Sequence, residues 1–369
     1  ADMPAYQTCL FTPDGNGQAH TERLVDIHAE RLAKMDAHGV EFCVLSLTTP
    51  GIQDFVRPTE AARQAVLTID WAAGEVRENP KRFGAFAALA MHDPHVAAKE
   101  LTRCVKELGF LGALVNDTQR GSVDGETPVF YDGLSLSALH TFLPVKRVLL
   151  GPEWDVFWQT VTELDVPFYL HPIAPKGTHY DKFWAARATL VGPCMSFANG
   201  AAAHLLGMIV NGVFDRHPKL RVIIGHLYGE KIPIDLWRIS HWLEDVHKPR
   251  GAVKMQRTLR ECFASNIWLT TSGDFDTIVL KYVVSEVGTS RIMYVSVCTD
   301  PYETFELACG WFDGIKPDTQ LSEVNLQSIA RDKAGEVLKL RLQTSCNSEI
   351  KPESTICLNP TSCFPIVLL

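Results

Sequence analysis

The stretch EWDVFWQTVTELDVPFYLHP, residues 153–172, contains the structural unit from which the fold follows. An amphipathic helical segment, residues 153–164, precedes an apolar strand, residues 166–172, which ends in His171 and Pro172. Helix and strand units of this kind recur along the chain, and they are typical of parallel strands joined by crossover helices. The stretch therefore predicts an α/β fold.

Short apolar runs continue this pattern on both sides of the unit. Six further strands are predicted, at residues 41–47, 83–89, 110–115, 220–226, 266–271 and 291–297. Further helices are predicted at residues 20–38, 59–78, 94–108, 199–214 and 321–340. Seven strands are one fewer than a (β/α)₈ barrel contains, and the gap lies at the N-terminus. We therefore expect a TIM barrel whose first strand is missing or altered.

The chain divides into a barrel domain and flanking segments of different character. Residues 1–19 are expected to form an altered or truncated N-terminal segment, and residues 20–343 the barrel domain. Residues 133–151 fit no barrel element and are predicted to be an insertion. The composition of the chain changes abruptly beyond residue 343, and residues 344–369 have no helical period. An irregular C-terminal tail is therefore expected at residues 344–369.

Composition limits the classes of function. The 369 residues include 35 Lys and Arg against 43 Asp and Glu, which gives a net charge of −8. Proteins that bind nucleic acids or membrane surfaces need a concentrated basic face, so we expect neither partner. No apolar run reaches the roughly 20 residues that a membrane span requires. Cysteines placed singly within apolar runs are typical of buried reduced thiols, so a cytoplasmic enzyme is expected.

Polar residues follow the predicted strands at the ends where a barrel builds its active site. His171, His226 and Asp300 come after three different strands, and Glu230 follows His226 closely. Imidazole and carboxylate groups from separate strand ends suit one divalent transition metal. A buried structural histidine is the alternative for each imidazole alone, but the three matching positions favour the metal. Glu230 can hold the imidazole of His226 or move its proton, and Asp300 can be ligand, proton donor or both.

Other polar residues near the strand ends or in adjoining segments are candidates for binding a substrate. They are Thr48, Asn116, Thr118, Asn199 and Arg238. No glycine-rich phosphate loop, nucleophile elbow or H-E-x-x-H motif occurs in the sequence. Phosphoryl transfer and serine-type acyl transfer therefore have no support from motifs.

Four strings carry a resemblance to a known family. They are ALVNDTQ (113–119), PEWDVFWQTVTELDVPFYLHP (152–172), HPKLRVIIGH (217–226) and IPIDLWRI (232–239). On these strings the chain resembles the metal-dependent, non-oxidative aromatic acid decarboxylases of the amidohydrolase superfamily. That group includes the 2,3-dihydroxybenzoate, γ-resorcylate and 6-methylsalicylate decarboxylases, which are relatives of aminocarboxymuconate-semialdehyde decarboxylase.

The resemblance implies a site with one divalent cation, zinc in the first place, with manganese and magnesium as alternatives. In this family an E-x-H pair on the first strand, a histidine after the fifth strand and an aspartate after the eighth hold the cation. His171 and Asp300 match the last two. His226 matches the catalytic histidine and Glu230 its supporting glutamate, and Asp300 is the implied acid. The resemblance also implies a small aromatic carboxylic acid as substrate and a homodimer.

The sequence departs from the family pattern in three places. No Glu or His precedes His20, Tyr228 intervenes in GHLYGE, and Asp300 directly abuts Pro301. Loss of the E-x-H pair would weaken metal binding, because it removes two of four protein ligands. The leading hypothesis is decarboxylation of a 2-hydroxylated benzoic acid, of the 6-methylsalicylate, orsellinate or 2,3-dihydroxybenzoate type, by protonation of the ring carbon. A metal-dependent lactone or amide hydrolase and an inactive barrel are the alternatives.

Overall fold

The fold is described from a computed structural model. The structure describes residues 22–47, 49–120, 128–129, 153–226, 231–295, 305–340 and 366–368. The predicted N-terminal segment, the insertion at 133–151 and most of the predicted tail lie outside these ranges. So do Thr48, Glu230 and Asp300.

Parallel strands form the inner layer of the molecule. The strands of the described ranges are β1 (Phe42–Leu45), β2 (Phe83–Ala85), β3 (Ala113–Asn116), β4 (Gln119–Arg120), β5 (Pro128–Val129), β6 (Phe168–His171), β7 (Val222–Ile224), β8 (Ile267–Thr270), β9 (Ile292–Met293) and β10 (Ile366–Leu368). Eight of them follow one another in the order β10-β1-β2-β3-β6-β7-β8-β9, and an isolated parallel bridge between Ala87 and Ala113 links β2 to β3. β4 and β5 form a separate antiparallel pair. This is the strand order of an α/β barrel.

The strand beside β1 comes from the far end of the sequence. Ile366–Leu368 pairs in parallel with β1, in a register that places Ile366 opposite Phe42 and Leu368 opposite Val44. For these three residues the expectation of an irregular tail is wrong. A short apolar, β-branched run can pair with the exposed edge of β1, because the edge carries unpaired backbone N–H and C=O groups. The tail therefore supplies an eighth parallel strand.

Helices connect most of the strands. They are α1 (Glu30–Ala37), α2 (Pro58–Glu78), α3 (Pro94–Leu108), α4 (Asp155–Leu164), α5 (Gly177–Phe183), α6 (Ser196–Val210), α7 (Val213–Arg216), α8 (Leu236–Ser240), α9 (Leu259–Ser265), α10 (Thr277–Val287), α11 (Phe305–Asp313), α12 (Glu323–Gln327) and α13 (Lys333–Leu338). The helix predicted at 94–108 is confirmed as α3. Its first turn is capped by the Asp93 carboxylate, which accepts from the backbone N–H groups of His95 and Val96.

Side chains alternate along each inner strand between two apolar layers. On β6, Phe168 and Leu170 pack in the layer between strands and helices, whereas Tyr169 lies in the barrel interior with Leu114, Ile223 and Trp268. This two-residue period also directs His171 inward, at the carboxyl end of the strand. The opposite, amino end of the barrel is covered by α13, whose Val337 carbonyl accepts a hydrogen bond from Arg221 at 2.9 Å.

Candidate metal and substrate site

His171 lies at the inner, carboxyl end of β6 with a defined tautomer. Its Nδ1 is 2.8 Å from the Pro172 carbonyl oxygen and 3.1 Å from Oδ1 of Asn116. Both partners are acceptors, so Nδ1 carries the proton and Nε2 carries the lone pair. Burial, and after it the nearby His226, lower the pKa of His171 to about 3. The imidazole is therefore neutral and able to act as a ligand through Nε2.

Asn116, at the end of β3, orients this imidazole. Its Nδ2 donates to the Pro50 carbonyl at 3.1 Å and to Oε1 of Gln53 at 3.2 Å, and its backbone N–H donates to the same Gln53 oxygen. These bonds hold the amide so that Oδ1 faces His171. The sequence singles out Asn116 as a substrate contact, but the structure places its amide against the imidazole. Ligating histidines are commonly oriented in this way by a second hydrogen-bonding group.

Gln53 and Gln119 extend the network beneath the strand ends. Gln53 Nε2 donates to the Leu89 carbonyl at 2.7 Å, and Gln119 donates to backbone carbonyls of residues 52, 53 and 55. Oε1 of Gln119 accepts from the Met91 N–H at 3.0 Å. Both side chains are buried. Sequence reasoning missed them, although Gln119 is the last residue of the ALVNDTQ string.

His226 follows β7 and faces His171 across the barrel mouth, with ring centroids 6.4 Å apart. Its φ is +67°, in the left-handed region that residues other than glycine rarely adopt. The backbone N–H of His226 donates to the Thr270 hydroxyl at 3.2 Å. The same hydroxyl lies 3.2 Å from the Tyr169 hydroxyl. These contacts support the strained conformation, which is a common feature of functional sites.

A cavity of about 300 Å³ lies at the carboxyl ends of β3 and β6. Two of the residues predicted to bind substrate, Thr118 and Asn199, line it. Arg238 lies on the exposed side of the short helix α8, and its predicted role stays a prediction. The structure therefore brings together His171, His226 and Asn116, and places Thr118 and Asn199 on an adjoining cavity.

The described residues fit one part of a metal centre. Within these ranges no group of three or more His, Cys, Asp or Glu side chains could hold a metal ion. Two imidazoles nevertheless converge at one rim, and His171 has the tautomer of a ligand, with its Nδ1–H bonded to oxygen. Asp300, the other predicted ligand of this chain, lies outside the described residues.

Comparison with known proteins gives concordant results along almost the whole chain. The family model described as amidohydrolase matches residues 16–331. A γ-resorcylate decarboxylase from Polaromonas sp. (strain JS666) is 37% identical over 334 residues, covering 89% of this chain and 93% of that protein. The decarboxylase orsB from Emericella nidulans is 34% identical over 354 residues, covering 92% of this chain and 96% of that protein.

Solved structures agree with these relatives. A 2,6-dihydroxybenzoate decarboxylase complexed with 2,6-dihydroxybenzoate superimposes with a TM-score of 0.78 at 36% identity, covering 90% of this chain and 94% of that chain. A dihydroxybenzoic acid decarboxylase from Polaromonas sp. JS666, with bound manganese and the inhibitor 2-nitroresorcinol, gives the same TM-score and identity, covering 90% and 92%. In the part of this chain that the structure describes, no helix is long and apolar enough to cross a membrane.

Proposed function

The chain belongs to the amidohydrolase family, and on that premise we propose that it is a carboxy-lyase that releases CO₂ from a 2-hydroxylated benzoic acid. The observation that carries the proposal is the neutral His171, oriented by Asn116 and facing His226 at the barrel mouth. Hydroxybenzoate decarboxylases at 34% and 37% identity over almost the whole chain support the reaction class.

We propose one divalent cation, held by Nε2 of His171 and the carboxylate of Asp300. Zinc is the first candidate, with manganese and magnesium as the others, and a solved relative contains manganese. When bound, the cation would hold the substrate carboxylate and its ortho-hydroxyl in one orientation and stabilise phenolate charge. Asn116 would keep the ligating nitrogen of His171 free of the proton, because its amide oxygen accepts from Nδ1–H.

In the proposed reaction Asp300 donates a proton to the ring carbon that bears the carboxylate. The bond to the carboxylate then breaks, its electron pair returns to the ring, and CO₂ leaves. His226 and Glu230 would tune the protonation of Asp300. Thr118 and Asn199 would contact the substrate from the cavity, and Thr48 and Arg238 are the further proposed contacts.

The test is an assay of the purified protein with 6-methylsalicylate, orsellinate, 2,3-dihydroxybenzoate and 2,6-dihydroxybenzoate, in which CO₂ is measured. We expect CO₂ release with at least one acid and loss of turnover in Asp300→Asn. A parallel assay offers a lactone; ring-opened acid from the lactone, without CO₂ from any of the four acids, would instead identify a hydrolase. Absence of CO₂ from every acid, together with absence of bound metal by elemental analysis, would identify an inactive barrel.

We propose in addition that the protein is a homodimer of the cytoplasm. An exposed apolar patch supports the dimer, since patches of this kind are typical of protein interfaces. The patch consists of Ile234, Trp237, Trp242, Ile278 and Tyr282, of which Trp237 is 73% exposed and Ile278 80%. Buried thiols at Cys43, Cys104, Cys262 and Cys309 support a reducing compartment. Sedimentation of the native protein tests the dimer.

A further inference from the structure

Helix α6 anchors the segment of the chain that follows β3. Gly200 and His204 are four residues apart on this helix, so they share one side of it, and both meet Asp117, the residue after Asn116. The Nδ1–H of His204 donates to the Asp117 carbonyl oxygen. At Gly200 a Cβ would collide with Oδ2 of Asp117, so the glycine allows the helix to approach closely. The imidazole then holds the main chain at this point of contact.

The imidazole of His204 is neutral and fully enclosed. The residue has no exposed surface. Burial lowers the pKa of His204 to about 4, and the hydrogen bond to the Asp117 carbonyl opposes this shift only in part. A carbonyl oxygen accepts hydrogen bonds and does not donate them, so Nδ1 carries the proton of the neutral ring. His204 therefore acts on Asp117 as a neutral donor and not as a charge.

The part of α6 that carries His204 is itself fixed by the hydrophobic core. Ala201, Leu205 and Met208 are fully buried there, in the layer between strands and helices. Protein interiors are close-packed, so a side chain among such neighbours has little room to move. The donor of His204 therefore has a fixed position, and the Asp117 carbonyl is held against it.

Asn116 is held by two separate segments of the chain. Its backbone N–H donates to Oε1 of Gln53, in the loop after β1, at 3.2 Å. The carbonyl of the following residue, Asp117, accepts from His204 on α6. Oδ1 of Asn116 lies 3.1 Å from Nδ1 of His171. A displacement of the main chain at Asp117 would therefore move this oxygen relative to the imidazole of His171.

A second contact connects the same side of α6 with His171. Phe197 precedes Gly200 by three residues and His204 by seven, so the three side chain positions lie on one side of the helix. The ring centroids of Phe197 and His171 are 6.2 Å apart, with an angle of 67° between the ring planes. One side of α6 therefore meets both the imidazole of His171 and the segment that orients it.

We propose that His204 is a positioning residue for His171, and that it acts through the main chain of Asp117 and the side chain amide of Asn116. The inference rests on the proposed function, because it gives His204 a part in holding the ligand of the proposed cation. The Nδ1–H donor of His204 performs this role. Asparagine can supply an equivalent donor, since its Nδ2 stands at the same distance along the side chain as Nδ1 of histidine.

The experiment compares His204→Leu and His204→Asn with the unchanged protein. Mn²⁺ alone is titrated into the metal-free protein to give its Kd, and the proton and nitrogen resonances of the His171 ring are followed by NMR in the same metal-free samples. We expect the Kd for Mn²⁺ to rise about tenfold in His204→Leu, and the Nδ1–H resonance of His171 to shift. His204→Asn should return both to the values of the unchanged protein, because it restores a donor to the Asp117 carbonyl.

His38→Leu is the matched control. Nδ1 of His38 also bonds a backbone carbonyl, that of Lys34 at 2.9 Å, but this histidine lies at the end of α1. The Kd for Mn²⁺ and the His171 resonances should stay unchanged in this variant. Melting temperatures of all variants separate a loss of stability from a loss of orientation. Should His204→Leu not fold, His204→Phe takes its place, since it keeps a ring without the donor.

A lower melting temperature in His204→Leu, with an unchanged Kd and unchanged His171 resonances, would identify a merely structural histidine and overturn the proposal. Failure of His204→Asn to restore the two values would overturn it too, because the donor would then not be their cause. If the unchanged protein binds no Mn²⁺, the proposed cation fails and the NMR measurement decides alone. The His171 resonances must then still shift in His204→Leu and return in His204→Asn.

Discussion

Two sides of the barrel are held in different ways. On the β3 and β6 side, His171, Asn116, Gln53 and Gln119 form a hydrogen-bond network that crosses three chain segments. On the other side, β1 and β10 are joined by backbone pairing over three residue pairs. A backbone ladder sets the spacing of strands, whereas a side-chain network sets the direction and tautomer of one imidazole. The proposed chemistry therefore depends on the first side, and the position of the strand beside β1 depends on the second.

Replacement of His171 by Ala should have the largest effect on activity. It removes the proposed ligand, and it also leaves Oδ1 of Asn116 without the Nδ1–H donor of the imidazole. We expect decarboxylation to fall by on the order of a hundredfold or more and bound metal to fall with it. Elemental analysis and CO₂ release measure the two effects. Full metal content with full activity would show that His171 is not a ligand.

Asn116→Leu should have the second largest effect on activity. It removes the acceptor that faces His171 and keeps the imidazole itself in the protein. Loss of such an orienting group costs about 10–100-fold in metal affinity or activity. Metal titration followed by CO₂ release measures the loss. Asn325→Leu in α12, whose Nδ2 bonds the Gln320 carbonyl, is the matched control. If both variants bind metal equally well, the network does not orient the ligand.

Thr270→Val tests the support of His226. The substitution keeps the shape of the side chain but removes the hydroxyl that accepts the His226 N–H. A buried donor left without its partner costs about 1–3 kcal/mol, so the backbone of His226 should shift to relieve this cost. Because the imidazole moves with the backbone, we expect kcat to fall by about tenfold or more with a smaller change in KM. Thr270→Ser should restore the rate, since it restores the hydroxyl. A normal kcat in Thr270→Val would separate this hydroxyl from catalysis.

Deletion of residues 366–369 tests the other side and should have the smallest effect. It removes the backbone hydrogen bonds that β10 makes with β1, each worth about 0.5–1.5 kcal/mol. We expect the melting temperature to fall by about 2–4 °C for each kcal/mol lost, with faster amide exchange in Phe42–Leu45. Unchanged exchange in β1 would mean that β10 does not stabilise it.

The sequence predicts well those helices and strands whose positions are determined by the local apolar period. Helix α3 occurs at the predicted residues 94–108, whereas His171 is the last residue of β6 and His226 follows β7 by two residues. Helix α2 begins one residue earlier than predicted. These features depend on apolar period, proline and capping residues within one segment.

Contacts between distant segments could not be predicted in the same way. Asn116 and Gln53 are 63 residues apart, and β10 pairs with a strand more than 300 residues before it. No local pattern encodes such a partner. The left-handed conformation of His226 was missed for a related reason, since Thr270 and Tyr169 support it from other strands.

Because β10 runs parallel to β1, its backbone ends at the same face of the barrel as β6, whose last residue is His171. A fluorophore attached to this strand would therefore sit at the barrel face that carries His171 and His226, where it could report the arrival of a ligand.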